Sequence, residues 1–226
     1  MKFSFEKIIS IPKSLYVSFR LFPFQDAWRM PILVRYNCKL QSLHGIININ
    51  GGVKTAILQI GFGHVGVFDK TYERSIIEIN GRIELKGETH FGHGSRICVT
   101  RNGILRIGKH FSNTAMMTVI CDEKIEIGDD VTVSWNTLVM DTDWHTTQNT
   151  LTNETRPHKG AIRIDNKVWL CTRCVILKGS SIAEGCIIGA NAVICGRFST
   201  PHSLIAGNPA TERKHNITMN RDQKKP

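Results

Sequence analysis

The sequence predicts a mainly β solenoid, in which short strands coil around a narrow core. The first observation is a period of six over residues 164–210, where one position in each hexad is aliphatic or small: Ile164, Leu170, Ile176, Ile182, Ile188, Ile194, Thr200 and Ala206. The second is a mostly small position four residues after each of these: Val168, Cys174, Ser180, Cys186, Ala192, Phe198 and Leu204. A short self-similar period is typical of solenoids, whose units bury their apolar face against neighbouring units. If three hexads close one triangular coil, each face places one aliphatic and one small side chain inside.

Length and composition indicate one sizeable domain with an extension, since the chain has 226 residues. No run of about 18 apolar residues occurs, so no transmembrane helix is expected. The first residues carry Glu6 and Lys7 within their apolar part and lack a small-residue cleavage site, which argues against a secretory signal. The seven cysteines are odd in number and scattered, as in proteins with reduced thiols. We therefore expect a cytoplasmic protein.

Cys171 and Cys174 form a CxxC motif, the spacing used by some zinc and redox sites. Both kinds of site need sulfurs that converge. The assignment of inward and outward positions within each hexad, here called the hexad frame, makes Cys174 the small inward residue. Cys171 follows an inward leucine and is therefore expected to point outward. The hexad frame therefore predicts no metal or redox site at this motif.

The net charge of +10 is unevenly distributed along the chain. Residues 1–39 hold seven Lys and Arg against two acidic residues, and residues 211–226 hold five against two. Such basic ends are suited to anionic lipid, to a phosphate-bearing cofactor or to nucleic acid, and a solvated surface explains most of them equally well. We expect no nucleic-acid partner.

The pattern divides the chain into three parts. Residues 1–39 are apolar but interrupted by prolines at positions 12, 23 and 31, so short helices or irregular structure are predicted, packed as a cap on the solenoid end. A basic amphipathic anchor on the inner face of the membrane is the alternative for this segment. Residues 40–210 form the β-helix, irregular at first, and residues 211–226 form a basic tail.

The repeat is interrupted from Met140 to Arg163 by a polar stretch that carries Asp141, Asp143 and His145. An insertion of this kind leaves the solenoid wall as a protruding loop near residues 140–163. Long loops on regular scaffolds are where functional residues concentrate. Histidine is the side chain best matched to proton transfer near neutral pH, and a carboxylate two or four residues away could orient it.

Motifs after this loop resemble those of the hexapeptide-repeat acyltransferases, and in particular the sugar and polysaccharide O-acetyltransferases. The resemblance, with the histidine loop included, covers about the last 120 residues. Its motifs read Ile164-Asp-Asn-Lys-Val-Trp169-Leu, Ile176-Leu-Lys-Gly179, Ile182-Ala-Glu-Gly-Cys-Ile-Ile-Gly189-Ala190-Asn191 and Ile205-Ala-Gly207-Asn208-Pro209-Ala210. The resemblance implies a left-handed parallel β-helix. This hand comes from the resemblance, because the general rule for parallel crossovers predicts a right-handed one.

The resemblance also implies catalytic residues. His145 would be the general base that deprotonates an acceptor hydroxyl as it attacks acetyl-CoA, the co-substrate, with no metal required. Asp143, or failing that Asp141, would orient His145. Asn136 would polarise the site or bind the acceptor, although a turn residue is an equal interpretation. Asp141 and Trp144 are the candidate acceptor contacts.

Candidate acetyl-CoA contacts follow from the same resemblance. Trp169 lies between two inward positions, so its exposed indole would line the cofactor cleft, with packing against a neighbouring subunit as the alternative. Gly179 and the pair Gly189 and Ala190 would flank the pantetheine arm. Basic residues would pair with the CoA phosphates: Arg197, Arg213 and Lys214. Cys171 and Cys195 depart from the usual pattern of the family, so the detailed contacts are open.

Three other functions fit the sequence less well. The γ-class carbonic anhydrases share the solenoid and bind zinc through three histidines, but here His90 and His93 have no matching second cluster. Serine acetyltransferases need a large helical N-terminal domain. A non-enzymatic scaffold predicts an unbroken repeat. The sequence thus predicts a homotrimeric O-acetyltransferase for a sugar of capsule, lipopolysaccharide or another surface glycan, with a small-molecule or antibiotic acetyltransferase as the alternative.

Overall fold

The computed structural model describes residues 5–63 and 65–220. Three helices open the chain: α1 (Phe5–Ile9), α2 (Ile11–Leu21) and α3 (Phe24–Ala27). Strands then follow in a repeating order that builds three flat sheets, here called faces 1, 2 and 3. The ends of the predicted cap and tail, residues 1–4 and 221–226, lie outside the described residues.

Each face is a stack of strands from successive coils. Face 1 contains β1 (Ile32–Val34), β4 (Leu58–Phe62), β7 (Thr89–Gly92), β10 (Phe111–Asn113), β13 (Thr132–Val133), β18 (Trp169–Leu170), β21 (Ile187–Ile188), β24 (Leu204–Gly207) and β25 (Ala210–Lys214). Face 2 contains β2 (Lys39–Leu43), β5 (Ile76–Ile79), β8 (Arg96–Val99), β11 (Thr118–Cys121), β14 (Leu138–Met140), β19 (Val175–Leu177) and β22 (Val193–Ile194). Face 3 contains β3 (Ile46–Ile49), β6 (Arg82–Leu85), β9 (Ile104–Ile107), β12 (Lys124–Ile127), β17 (Ile162–Ile164), β20 (Ser181–Ile182) and β23 (Arg197–Phe198). A separate hairpin contains β15 (Thr147–Gln148) and β16 (Thr155–Arg156).

Neighbouring coils pair in parallel and in register, so like side chains stack inside the prism. Val119, for example, pairs with Ile97 of the preceding coil and Val139 of the next. In the regular strands, such as β9 and β11, alternate residues are buried, which is the period-two burial expected of a strand with one face on the core. The buried residues form one continuous apolar column along the solenoid axis. A mainly β solenoid of parallel strands is therefore confirmed.

The hexad positions predicted to point inward do so from Ile164 to Ile194, all of which are at most 1% exposed. The period then fails. Thr200 is exposed, and Ile205 rather than Ala206 is buried. In the preceding coil, paired residues such as Leu170 and Ile188 are eighteen positions apart. Ile188 and Ile205 are one position closer along the chain, so the inward-pointing position moves by one residue.

Helix α2 closes the first coil through a stripe of serines that the hydrophobic pattern did not reveal. Ser10, Ser14 and Ser18 recur at every fourth position and are fully buried. The hydroxyl of Ser14 accepts the backbone N–H of Val34 at 2.9 Å, and that of Ser10 accepts the N–H of Tyr36 at 2.9 Å. These bonds satisfy the backbone at the open edge of β1, which would otherwise be unpaired. Because β1 begins at residue 32, the solenoid starts inside the segment predicted as cap.

The far end is closed differently. β25 turns back and pairs antiparallel with β24, so the last parallel edge is also covered. Residues 211–214 of the predicted tail therefore belong to a strand.

The Arg35 guanidinium is buried where the cap meets the first coils. It forms an ion pair with Glu6 (Nη2–Oε1 3.1 Å), lies 3.2 Å from Nδ1 of His93 and donates to the Lys70 carbonyl at 3.3 Å. Burial first, and then the positive charge of Arg35, lower the pKa of His93 below its ordinary value, with Lys70 adding to the effect and Glu73 opposing it. His93 is thus neutral in the folded protein near neutral pH.

We expect folding stability to fall on acidification partly through His93. A depressed folded-state pKa means that the unfolded chain binds the proton more readily, so stability present above about pH 6.5 is lost as the pH falls. The contribution is at most about 1.4 kcal/mol per pH unit. His93→Gln should flatten the dependence of the unfolding free energy on pH between neutral and mildly acidic buffers, measured by urea titration. The exposed His202, changed to Gln, is the control, and equal slopes for wild type and His93→Gln would contradict the assignment.

Candidate active site

The loop that interrupts the repeat leaves the wall between β14 on face 2 and β17 on face 3. Its base is closed by backbone bonds from Asp143 N–H to His158 O (2.7 Å) and from Gly160 N–H to Asp141 O (3.0 Å). Beyond the base the chain forms the hairpin of β15 and β16, whose connecting turn holds Leu151, 91% exposed. The loop is therefore fixed where it leaves the wall and projects an apolar tip into solvent.

Asp141 anchors the loop to the preceding coil. It is fully buried, and its carboxylate accepts three backbone N–H groups at 2.7–3.0 Å, those of Asp122, Glu123 and Lys124. The carboxylate is thereby directed at the backbone of the preceding coil. Asp141 is predicted to contact the acceptor or to orient the histidine, whereas its burial and these three bonds favour a structural role.

Asp143 lies two residues further along the loop and is exposed. Its carboxylate pairs with the ammonium group of Lys178, which also donates to the Pro157 carbonyl at 2.7 Å. Among residues 5–63 and 65–220 no hydrogen bond or ion pair joins Asp143 to His145. Lys178 thus ties both arms of the loop to the next coil. In the sequence, Lys178 stands out only as the residue before Gly179 in the motif Ile176-Leu-Lys-Gly179, and nothing else there indicates its contact with the loop.

Trp144 and His145 follow, and both are exposed. Trp144 has a φ of 61°, in the left-handed region that residues other than glycine rarely adopt. Its N–H donates to the hydroxyl of the buried Thr142 at 3.1 Å, which holds this turn. The backbone conformation of Trp144 therefore sets the direction in which His145 leaves the loop, and strained residues of this kind concentrate at functional sites.

Trp169 lies on face 1, between the buried residues Val168 and Leu170. It is half-buried, and its indole Nε1–H donates to the hydroxyl of Ser134 at 3.2 Å. The ring is thereby held against the wall, with one part left in solvent. Asn136, at the turn from face 1 to face 2 on the preceding coil, has a φ of 58°. Its backbone has the conformation of a turn residue, which accounts for the asparagine without catalysis.

The candidate cofactor residues occupy several positions on the wall. Gly179 has a φ of 75° and donates its N–H to the Gly160 carbonyl at 2.9 Å, so it adjoins the loop base. A Cβ at Gly189 would lie 2.9 Å from that of Ala206, so close packing between coils also requires this glycine. The remaining four are exposed: Ala190, Arg197, Arg213 and Lys214.

Within one chain these residues form two groups rather than one cleft. The first lies at the corner between faces 2 and 3 and contains Asp143, Trp144, His145, Gly179 and Arg197. The second lies on face 1, at its corner with face 2 and at the last coil, and contains Asn136, Trp169, Gly189, Ala190, Arg213 and Lys214. The loop histidine and the tryptophan thus belong to different sides of the prism.

The two CxxC cysteines differ in burial, as their positions in the hexad predict. Cys174 is fully buried, and Cys171 is only half-buried. Burial raises the pKa of the Cys174 thiol to about 12, which disfavours the thiolate that metal ligation or redox chemistry uses. Within the described part of the chain, no group of three or more His, Cys, Asp or Glu side chains is arranged to hold a metal ion. His93 is buried against Arg35, and His90 lies on the outer side of face 1.

The sequence was compared with known proteins, and no family model matches it. The galactoside O-acetyltransferase of Escherichia coli (strain K12) is 28% identical over 120 residues, which are 53% of this chain and 54% of that protein. The chain thus matches about half the length of this relative.

Solved structures show the same architecture. The polySia-specific acetyltransferase NeuO superposes with a TM-score of 0.57 at 18% identity, covering 86% of this chain and 81% of its own. The polysialic acid O-acetyltransferase OatWY superposes with a TM-score of 0.51 at 23% identity, covering 83% of this chain and 92% of its own. The predicted left-handed parallel β-helix is thereby confirmed. The chain thus shares its fold with these two acetyltransferases and resembles a galactoside O-acetyltransferase in sequence over about half its length.

Proposed function

We propose that this protein is an acetyl-CoA-dependent O-acetyltransferase that acts on a sugar hydroxyl in the synthesis of capsule, lipopolysaccharide or another surface glycan. The observation that carries the proposal is His145, presented by an anchored loop at the only long interruption of the hexads between Ile127 and Ile194. The likeness to a galactoside O-acetyltransferase and the shared fold of two polysialic acid acetyltransferases support a glycan as acceptor.

In the proposed reaction His145 accepts the proton of the acceptor hydroxyl while that oxygen attacks the thioester carbonyl. The tetrahedral intermediate collapses with cleavage of the carbon–sulfur bond, and the departing CoA sulfur takes the proton from the imidazolium. Backbone N–H groups stabilise the oxyanion. No covalent enzyme intermediate and no metal are needed, because holding both substrates together supplies much of the acceleration.

Asp143 has a positioning role in this proposal. Since its carboxylate pairs with Lys178, it fixes the part of the loop from which Trp144 and His145 project. The tertiary contacts thus favour Asp143 as a support of the loop over direct orientation of the imidazole.

A homotrimer would unite the two groups of site residues. The loop of one subunit would then place His145 opposite Trp169 of its neighbour, with acetyl-CoA between the subunits. The exposed apolar side chains of the loop support this arrangement, since Leu151 is 91% and Trp144 51% exposed in a single chain. A closed ring of identical contacts would bury them. Basic residues near the last coil would meet the CoA phosphates: Arg197, Arg213 and Lys214.

Trp169→Ala should weaken acetyl-CoA binding by about ten- to a hundredfold, because burying an aromatic ring against a ligand contributes about 1.5–3 kcal/mol. Isothermal titration calorimetry measures the change. Trp28→Ala is the matched control, because Trp28 lies on the cap at the first coil, whereas Trp169 lies on a late coil. If Trp169→Ala binds acetyl-CoA as tightly as wild type, the cofactor does not contact this ring.

The function itself is tested by acetyl-CoA calorimetry together with a free-thiol assay on the full chain, first without acceptor and then with a panel of sugars. Slow thiol release that a surface sugar accelerates supports the proposal. Acceleration only by small hydroxylated antibiotics would favour the alternative acceptor class. If acetyl-CoA does not bind at all, the transferase proposal fails, and the solenoid is better regarded as a scaffold.

A further inference from the structure

The helical cap carries an unusual concentration of exposed apolar side chains. Of the fourteen large hydrophobic residues that are exposed in the described part of the chain, eight lie within its first 36 positions: Phe5, Ile8, Ile9, Tyr16, Phe19, Phe24, Trp28 and Tyr36. Single exposed apolar residues are ordinary on protein surfaces, whereas a contiguous group marks a contact surface. The cap is therefore a candidate docking surface.

Three of these rings form a cluster, which we call the aromatic patch: Phe19, Phe24 and Trp28. The ring centroids of Phe19 and Trp28 are 4.7 Å apart, those of Phe19 and Phe24 are 5.8 Å apart, and those of Phe24 and Trp28 are 5.9 Å apart. Phe24 and Trp28 nevertheless remain 68% and 65% exposed. The rings are held together by their mutual contacts while much of their surface stays in water.

The patch faces away from the solenoid. Helix α2 contacts β1, β2 and β3, which are the first strands of the three faces, so it lies across the open end of the prism. Its buried residues Val17 and Leu21 are directed to the coil, and Tyr16 and Phe19 are exposed on the other side. Because the cap covers an end rather than a side, subunits that associate side by side leave it accessible.

Basic residues adjoin the patch along the chain. Arg20 and Arg29 are exposed, and their guanidinium groups contact the Leu43 and Val53 carbonyls at 3.3 and 3.5 Å. Lys13 donates to the Cys38 carbonyl at 2.8 Å. The acidic side chains are few, since residues 1–39 contain only two, and one of these, Glu6, is paired with the buried Arg35. The other, Asp26, lies between Phe24 and Trp28, so Arg20 and Arg29 leave this part of the cap with a net positive charge.

We propose that the outer side of this cap docks on the surface of an anionic lipid bilayer. Exposed Phe and Trp beside Arg and Lys match the boundary between headgroups and acyl chains, where apolar burial and attraction to anionic lipid act together. Within the described residues no helix is long and apolar enough to cross a membrane. The inner side of the cap closes the solenoid while the outer side binds lipid. This inference does not depend on acetyl transfer.

The test is co-sedimentation of the full chain with vesicles of phosphatidylcholine alone or mixed with phosphatidylglycerol. We expect binding to the mixed vesicles that weakens with salt, and at least about tenfold weaker binding for Phe24→Ser/Trp28→Ser. Arg20→Gln/Arg29→Gln should bind more weakly and with less dependence on salt. Both pairs of residues are exposed, so the folds of these variants should be unaffected, which circular dichroism verifies.

Tyr72→Ser is the matched control, because Tyr72 is 84% exposed but lies on the connection between β4 and β5 rather than on the cap. It should bind vesicles as wild type does. Failure of the wild type to bind mixed vesicles, or an equal loss for Tyr72→Ser, overturns the proposal. So does a lower solution mass of Phe24→Ser/Trp28→Ser in sedimentation velocity without lipid, because the patch would then be a contact between copies of the chain.

Discussion

His145→Ala is expected to lower the rate of acetyl transfer by about 10²–10⁴-fold, the usual contribution of a general base, while acetyl-CoA still binds. The side chain is exposed on an anchored loop, so its removal leaves no cavity in the core. The loss should therefore appear in turnover rather than in folding. Thiol release from acetyl-CoA with a sugar acceptor measures turnover, and calorimetry measures cofactor affinity.

His158→Ala is the matched control on the same loop. His158 is half-buried at the loop base, where its backbone carbonyl rather than its ring accepts the Asp143 N–H. The backbone bond survives the change to alanine, so turnover should stay close to that of wild type. The assignment of the base is wrong if His158→Ala loses turnover and His145→Ala retains it.

Asp141→Asn is expected to destabilise the fold by about 3 kcal/mol, because it removes charge-assisted bonds to buried backbone groups. The carboxylate offers two oxygens to three N–H donors, whereas an asparagine offers one oxygen and turns its own N–H groups toward donors. For a chain of this length the change corresponds to a melting temperature lower by roughly 6–12 °C. Urea unfolding at one protein concentration measures the free energy.

Asp143→Asn distinguishes the role of Asp143 from that of Asp141. Its partner Lys178 forms an ion pair with an exposed carboxylate, and such pairs contribute about 1 kcal/mol or less to stability. We expect a small change in unfolding free energy and a loss of activity through poorer loop positioning. Equal destabilisation by Asp141→Asn and Asp143→Asn would contradict the distinct roles that burial assigns to them.

Much of the late solenoid was predictable residue by residue. Residues of a strand point inward and outward in turn, so the position of a residue in the hexad predicts whether it is buried. On this basis Cys174 and Ile176 could be placed inside and Cys171 outside. The same frame placed Trp169 between inward residues, half-buried on the wall. The frame failed after Ile194, where the last coil is one residue shorter and Ile205 becomes the inward residue.

The hexad solenoid and the loop that carries the candidate histidine can both be inferred from the sequence alone, because they appear as a local period and as its interruption. The burial of Asp141 as an anchor and the pairing of Asp143 with Lys178 are visible only in the folded chain. Two carboxylates two positions apart look alike in sequence. Which of them meets backbone N–H groups depends on the preceding coil, and those contacts between residues distant along the chain exist only once the coils are stacked.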